Sequence, residues 1–321
     1  IIYILSIAAA IPVFSAPANT PVTSSGDHQR ATRYYNAPPN LTSNIYTDFC
    51  QDRKGYIWIA TETGLMRFDG FNLEVFRNDK QRQGTISDNR VNRVICDSRG
   101  DIWVGTSNGL NYFDPESETF EVVKLPPSEK IDGYVQDIAE QADGTIIFNV
   151  AGNGLYLVDP AIDKKEAARM AISSPRFEGN SIYVAKDKKI FLGTHRGHIQ
   201  VIKPNGSQTE LPLSDSFIEG MSHEHGNTIV VYGQERIWRI DTKALKAYEI
   251  DASAMGKAVI NKISHDKDGN AYIASNSGLW IIRKGENKVE RCARFFNSSV
   301  DLDRVKIGAV YAVSYTHLRA H

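Results

Sequence analysis

The chain has 321 residues, with 37 Lys+Arg against 38 Asp+Glu, a formal net charge of −1 and three cysteines. That balance excludes the basic excess of a nucleic-acid binder. Ordinary apolar and charged fractions (41% and 23%) exclude a disordered chain, and three cysteines exclude a disulfide framework.

The first fifteen residues (IIYILSIAAAIPVFS) carry no charge and lead into Ala16-Pro17-Ala18. An apolar run ending in A-x-A reads as the core and cleavage site of a secretory signal, and it is shorter than the ~20 residues of a membrane span. We therefore expect a signal peptide over 1–18, a polar leader over 19–40, and export to the periplasm. At the other end, residues 313–321 (VSYTHLRAH) resemble a translated sequencing adapter, so His317 and His321 are set aside. On this reading the chain is a piece of a longer protein.

Between these ends the sequence repeats. Asp52, Gly55, Trp58, Thr61 and Gly64 recur 45 residues later as Asp97, Gly100, Trp103, Thr106 and Gly109. A third copy keeps Gly144 and Gly154, a fourth Thr194 and Gly197, and a sixth Gly269 and Gly278; the fifth, around Gly226 and Trp238, is eroded. A seventh copy is expected to begin at Asp303-Arg-Val-Lys-Ile307. Each unit reads as four short strands. The first carries paired apolar residues such as Val91 and Val94. Asp-x-x-Gly then makes a turn, with Gly at the positive-φ position. The second strand (Ile57-Trp58-Ile59-Ala60-Thr61) is β-branched and aromatic, as a buried pleated surface prefers. A second Gly turn and two more strands close the unit. A lone four-stranded meander cannot bury its apolar face, so copies must stack, and a period of 40–50 residues is that of a β-propeller blade. The fold expected is all-β: six blades plus the start of a seventh within residues 41–312. The recurrent aromatics Trp58, Trp103, Phe191 and Tyr272 belong to the packing between blades.

The unit D-x-x-G-x-(I/L)-W-(I/V)-G-T-x-x-G-L resembles the two-component regulator propeller repeat. That resemblance implies the periplasmic sensor region of a hybrid two-component system of the Bacteroidetes type. It further implies a longer, dimeric parent with a second propeller, one membrane span and a histidine kinase, which typically senses oligosaccharides. It implies no cofactor for this region, no nucleic-acid partner and no enzyme activity of its own.

The residues themselves offer no nucleophile elbow, Walker loop, C-x-x-C pair or zinc spacing. His223-Glu224-His225 places metal-ligand types together, but no third ligand is evident and the segment reads as a solvated loop. Candidate ligand-binding residues lie in the variable turn between the second and third strands: Glu62, Asn108, Asn153, His195, Arg196 and Asn276. Their flanking Thr and Gly stay fixed while the inserts vary, a pattern shared by recognition surfaces and unconstrained loops. Two other readings stay open: a propeller enzyme of the lyase or sugar-processing type, and a protein-binding propeller of the envelope.

Overall fold

A computed structural model describes residues 45–126, 133–170, 179–214, 217–292 and 306–311, together with the backbone of short strands at 2–4, 30–31, 33–35 and 296–297. Six four-stranded antiparallel sheets follow one another along the chain, each in simple up-and-down order. Their innermost strands are Tyr46–Gln51, Val91–Cys96, Val135–Glu140, Gly179–Val184, Gly220–His225 and Ile260–His265. Inner strands of successive blades adjoin, so the sheets radiate from a shared axis as the repeat period requires. No α-helix occurs among the described residues; a 3-10 turn spans Ser253–Met255.

The second strand of five of the six blades is buried along its length because it is covered on both faces by neighbouring sheets, and in the fifth blade only Thr228 is half-buried. Ile57–Thr61, Ile102–Thr106, Ile146–Val150, Ile190–Thr194 and Ala271–Ser275 have no accessible position. Trp58 packs across the first interface, its ring 4.9 Å from that of Phe113 in the next blade. Trp103 and Phe191 take the same place one and three blades on, within the clusters that join their blades to the following ones.

The Asp of the repeat holds that aromatic in position. Asp97 Oδ1 accepts from the N–H of Arg99 and Asp101 (2.9 and 2.8 Å), and Oδ2 accepts from Trp103 Nε1 (3.0 Å). Asp52 repeats the set with Trp58 Nε1 (2.9 Å), and Asp266 takes the hydroxyl of Tyr272 (3.2 Å). One carboxylate thus satisfies a tight turn and the only polar atom of a buried ring. Gly100, at φ 96°, closes the turn in a conformation that costs other residues strain. The repeat Thr works at the opposite end: Thr61 Oγ1 donates to Gly64 O (2.7 Å) and accepts from Thr63 N (3.1 Å), stapling the next hairpin.

Two departures from expectation have local causes. The fifth unit, weakest in sequence, is built as fully as the others. It has dropped the Asp-x-x-Gly turn, so His225 pairs directly with Thr228 across Gly226-Asn227, while Ile229, Val231, Trp238 and Ile240 keep one buried face and Val230, Tyr232 and Ile237 the other. Ile307, expected in a seventh strand, lies in a described segment, 306–311, that has no regular secondary structure and pairs in no sheet; residues 303–305 lie outside the described residues. The expected leader and adapter-like tail also lie outside them, apart from short backbone strands. One of these, Ile2–Ile4, falls within the expected signal segment and pairs with Arg33–Tyr35.

Candidate functional site: the axial cavity

Where the inner strands begin, the six blades leave a cavity of about 960 Å3 on the axis. Much of its wall comes from the second and third positions of the inner strands, through Thr47, Asn92, Arg93, Gln136, Asn180, Asn261 and Lys262. The second residues of the inner strands are Thr47, Asn92, Gln136, Asn180, Met221 and Asn261; the third are Asp48, Arg93, Asp137, Ser181, Ser222 and Lys262. In five of the six strands a register irregularity falls within these first residues, which turns the side chains around the axis rather than leaving strict alternation.

Four of the third residues form two ion pairs between blades, and the other two, Ser181 and Ser222, carry no charge. Arg93 Nε donates to Asp137 Oδ1 (2.8 Å), and Lys262 Nζ to Asp48 Oδ1 (2.7 Å), the latter joining the sixth blade to the first. The remaining carboxylate oxygens accept backbone N–H groups of the following blades, Val94 for Asp48 (3.3 Å) and Ile182 for Asp137 (2.8 Å). Burial opposes the charge on Arg93, but Asp137 and Asp48 more than offset it, so its pKa lies above the usual arginine value. For Lys262, burial and the nearby Arg93 win over Asp48, and its pKa is lowered. Burial pushes the Tyr232 phenol, also on the wall, up to about 12.

The second residues lock blades together through amides. Thr47 Oγ1 donates to Val91 O (2.7 Å), Asn92 Nδ2 to Val135 O (2.9 Å) and Asn261 Nδ2 to Ile307 O (2.7 Å), with Asn180 reaching Ile218 O in the same manner. In the third blade Gln136 is joined by Asn149, whose Nδ2 reaches Gly179 O (2.8 Å) and Gln136 Oε1 (3.0 Å). Segment 306–309 supplies the wall between the sixth and first blades.

The turns singled out in the sequence stand at this same end of the ring, around the mouth, and none of them lines the cavity. Glu62 lies 3.6 Å from Arg90 of the wall, His195 meets Phe217 edge-on at 4.4 Å, and Asn276 Oδ1 accepts from Val259 N (2.8 Å). Asn108 and Asn153 reach backbone carbonyls at Ser87 and Ala151, and Arg196 is exposed. The wall itself was missed. Its signal in the sequence is one register, the second and third residues of each first strand, polar in every unit except at Met221 of the fifth.

The His223-Glu224-His225 group does not converge. Glu224 is buried in a two-pronged pair with Arg239 (2.7 Å for each contact), His223 stacks on Tyr183, and His225 is exposed. Among the described residues no group of three or more His, Cys, Asp or Glu could hold a metal ion. The described cysteines Cys50, Cys96 and Cys292 are free; Cys50 and Cys292 are buried and Cys96 half-buried.

Six blades packed around a polar axial cavity define the class of the β-propeller. The chain carries the two component regulator propeller repeat, matched over residues 40–63 and 85–108. Its fold is similar to the extracellular domain of a protein from B. thetaiotaomicron described as a hybrid two component system (TM-score 0.69, 16% identity, 83% of this chain and 37% of that one). A second such domain from the same organism aligns with TM-score 0.66 at 19% identity, over 82% and 37%. It is also similar to a catalytically inactive histidine-to-alanine variant of virginiamycin B lyase from Staphylococcus aureus with quinupristin (TM-score 0.65, 15% identity, 78% and 85%). At these identities the likeness establishes the fold, and the chain spans little over a third of the sensor domains' length. No curated protein matches the chain. No helix among the described residues is long and apolar enough to cross a membrane.

Proposed function

We propose that the chain is the extracytoplasmic ligand-sensing propeller of a hybrid two-component sensor, exported to the periplasm. It responds to glycan-derived oligosaccharides and passes the signal to a histidine kinase and phosphorelay in a dimeric parent protein. The observation that carries this reading is a pre-formed axial cavity walled by polar side chains from successive blades, in a propeller built on the regulator repeat. Binding there would shift populations of the surrounding blades, the form in which a sensor transmits occupancy. The sensor domains that share the fold support the assignment.

A seventh blade is part of the proposal. Ile307 donates its N–H to Ser275 O (2.9 Å) and accepts from Asn261 Nδ2, the same pair of bonds that Ile218, just ahead of the fifth inner strand, makes with Thr194 O (3.1 Å) and Asn180. That equivalence supports 306–311 as the approach to a further inner strand between the sixth and first blades.

The lyase reading is favoured by fold similarity alone: among the described residues no histidine lines the cavity. Calorimetric titration of the chain against a library of neutral and acidic oligosaccharides tests the sensor reading. Saturable binding without turnover is expected. Silence across the library contradicts it, and conversion of a bound compound to product moves the protein to the enzymes.

A further inference from the structure

The axial wall also constrains what kind of molecule it accepts, a step that rests on the sensor reading above. Asn92 and Asn261 each spend Nδ2 on a carbonyl of the following segment, which pins the side chain and leaves Oδ1 with no protein partner among the described residues. Gln136 is pinned the other way: its Oε1 accepts from Asn149, and its Nε2 donor is unspent. All three residues line the cavity. Two acceptors and one donor are therefore held in fixed orientation by bonds within the ring, and all belong to neutral groups. A polar ligand that meets them loses water but keeps its hydrogen bonds, whereas one lacking matching groups leaves them unsatisfied.

The charges of the wall are matched. Arg93 and Lys262 are paired with Asp137 and Asp48, so a charged ligand would have to break a buried pair to gain a counter-ion there. At the mouth, Arg90 lies near Glu62 and over the Tyr134 ring (6.0 Å), while Glu219, which accepts from Gln234 Nε2 (3.1 Å), and Lys306 bring one charge of each sign to the wall. Tyr134 and Phe217 add aromatic faces to the wall. A volume near 960 Å3 stands at the upper end of the ~300–1,000 Å3 typical of small-molecule sites.

We infer that the axial cavity binds a neutral, polyhydroxylated molecule of more than one ring, with hydroxyls donating to Asn92 and Asn261 Oδ1, a hydroxyl oxygen accepting from Gln136 Nε2, and a ring face laid on Tyr134. Hydroxyls suit this wall because each both donates and accepts. Aromatic rings suit the C–H faces of a saturated ring.

The test is calorimetric titration of the chain with three sets of trisaccharide probes: neutral (maltotriose, cellotriose, xylotriose, mannotriose), acidic (trigalacturonate) and cationic (chitosan trimer). At least one neutral probe should bind, and Asn92→Leu should weaken it tenfold or more. Because Asn92→Leu also removes a bond between blades, Tyr134→Ala serves as the second variant. It truncates a ring at the wall, should fold with an unchanged circular dichroism spectrum, and should weaken the same probe at least fivefold. A neutral probe that binds both variants as tightly as the parent chain overturns the site while leaving the sensor reading intact. Binding by the charged probes alone overturns the neutral-ligand assignment. Failure of every probe to bind overturns this inference and removes the support for glycan sensing together.

Discussion

Replacing Asp97 by Ala tests the physical logic of the repeat. The carboxylate accepts two turn N–H groups and the indole N–H of Trp103, whose side chain is fully buried between the second and third blades. The turn amides lie near solvent, so water replaces much of what they lose, and each bond is worth about 0.5–1.5 kcal/mol. The indole N–H has no such recourse, and stranding it costs about 1–3 kcal/mol. Together Asp97→Ala should cost about 3–4 kcal/mol. At roughly 2–4 °C per kcal/mol for a large domain, the melting temperature should fall on the order of 10 °C. Asp143→Ala is the control: that carboxylate holds Thr145 N (3.1 Å) and an exposed Lys188, with no indole, and the loss should stay within about 1 kcal/mol. Urea unfolding of Asp97→Ala, Trp103→Phe and the double variant completes a cycle, in which a coupling of about 1.5–3 kcal/mol is expected. An additive cycle, or an Asp97→Ala variant within 1 kcal/mol of the parent chain, would refute the reasoning.

Gly105→Ala should destabilise by about 1–3 kcal/mol in chemical denaturation, since a Cβ there would sit 2.7 Å from Val135 Cγ1 of the next blade; a neutral substitution would mean that the blades can part at no cost. Burial, with His223 adding to it and Glu224 opposing, lowers the His265 pKa from 6.5 to about 4. The unfolded chain therefore takes up a proton that the fold refuses, so stability present above pH 6.5 is lost as pH falls towards 4, by about 3 kcal/mol. Melting temperatures of the parent chain and of His265→Gln should diverge across that window, and parallel profiles would contradict the burial argument. Glu224→Ala leaves the Arg239 guanidinium without its two-pronged partner and should cost about 3–5 kcal/mol in urea unfolding; a loss below 1 kcal/mol would show that the pair is solvated.

The repeat made the blades legible because their architecture depends on constant residues. An Asp that binds a turn and an indole, a Gly at positive φ and a Thr that staples a hairpin must be the same residue in every copy where they act. The axial wall depends on the opposite property. Asp48, Arg93, Asp137 and Lys262 occupy one position of the first, second, third and sixth units, yet they form pairs only because neighbours around the ring differ in sign, so a search for similarity passes over them. Their pairing also needs the ring to be closed, since Lys262 meets Asp48 across 214 residues of sequence. The fifth blade shows the converse. Its turn motif is gone, but Ile229, Val231, Trp238 and Ile240 preserve a buried face, and burial rather than the turn decides that a sheet forms there.

A crystal structure of the chain soaked with the tightest-binding neutral trisaccharide tests the account most directly. Ligand density is expected on the axis, within hydrogen-bonding distance of Asn92, Gln136 and Asn261, with six sheets arranged around it. Density on an outer blade face with the cavity holding only water, or sheets stacked face to face instead of around an axis, would contradict it.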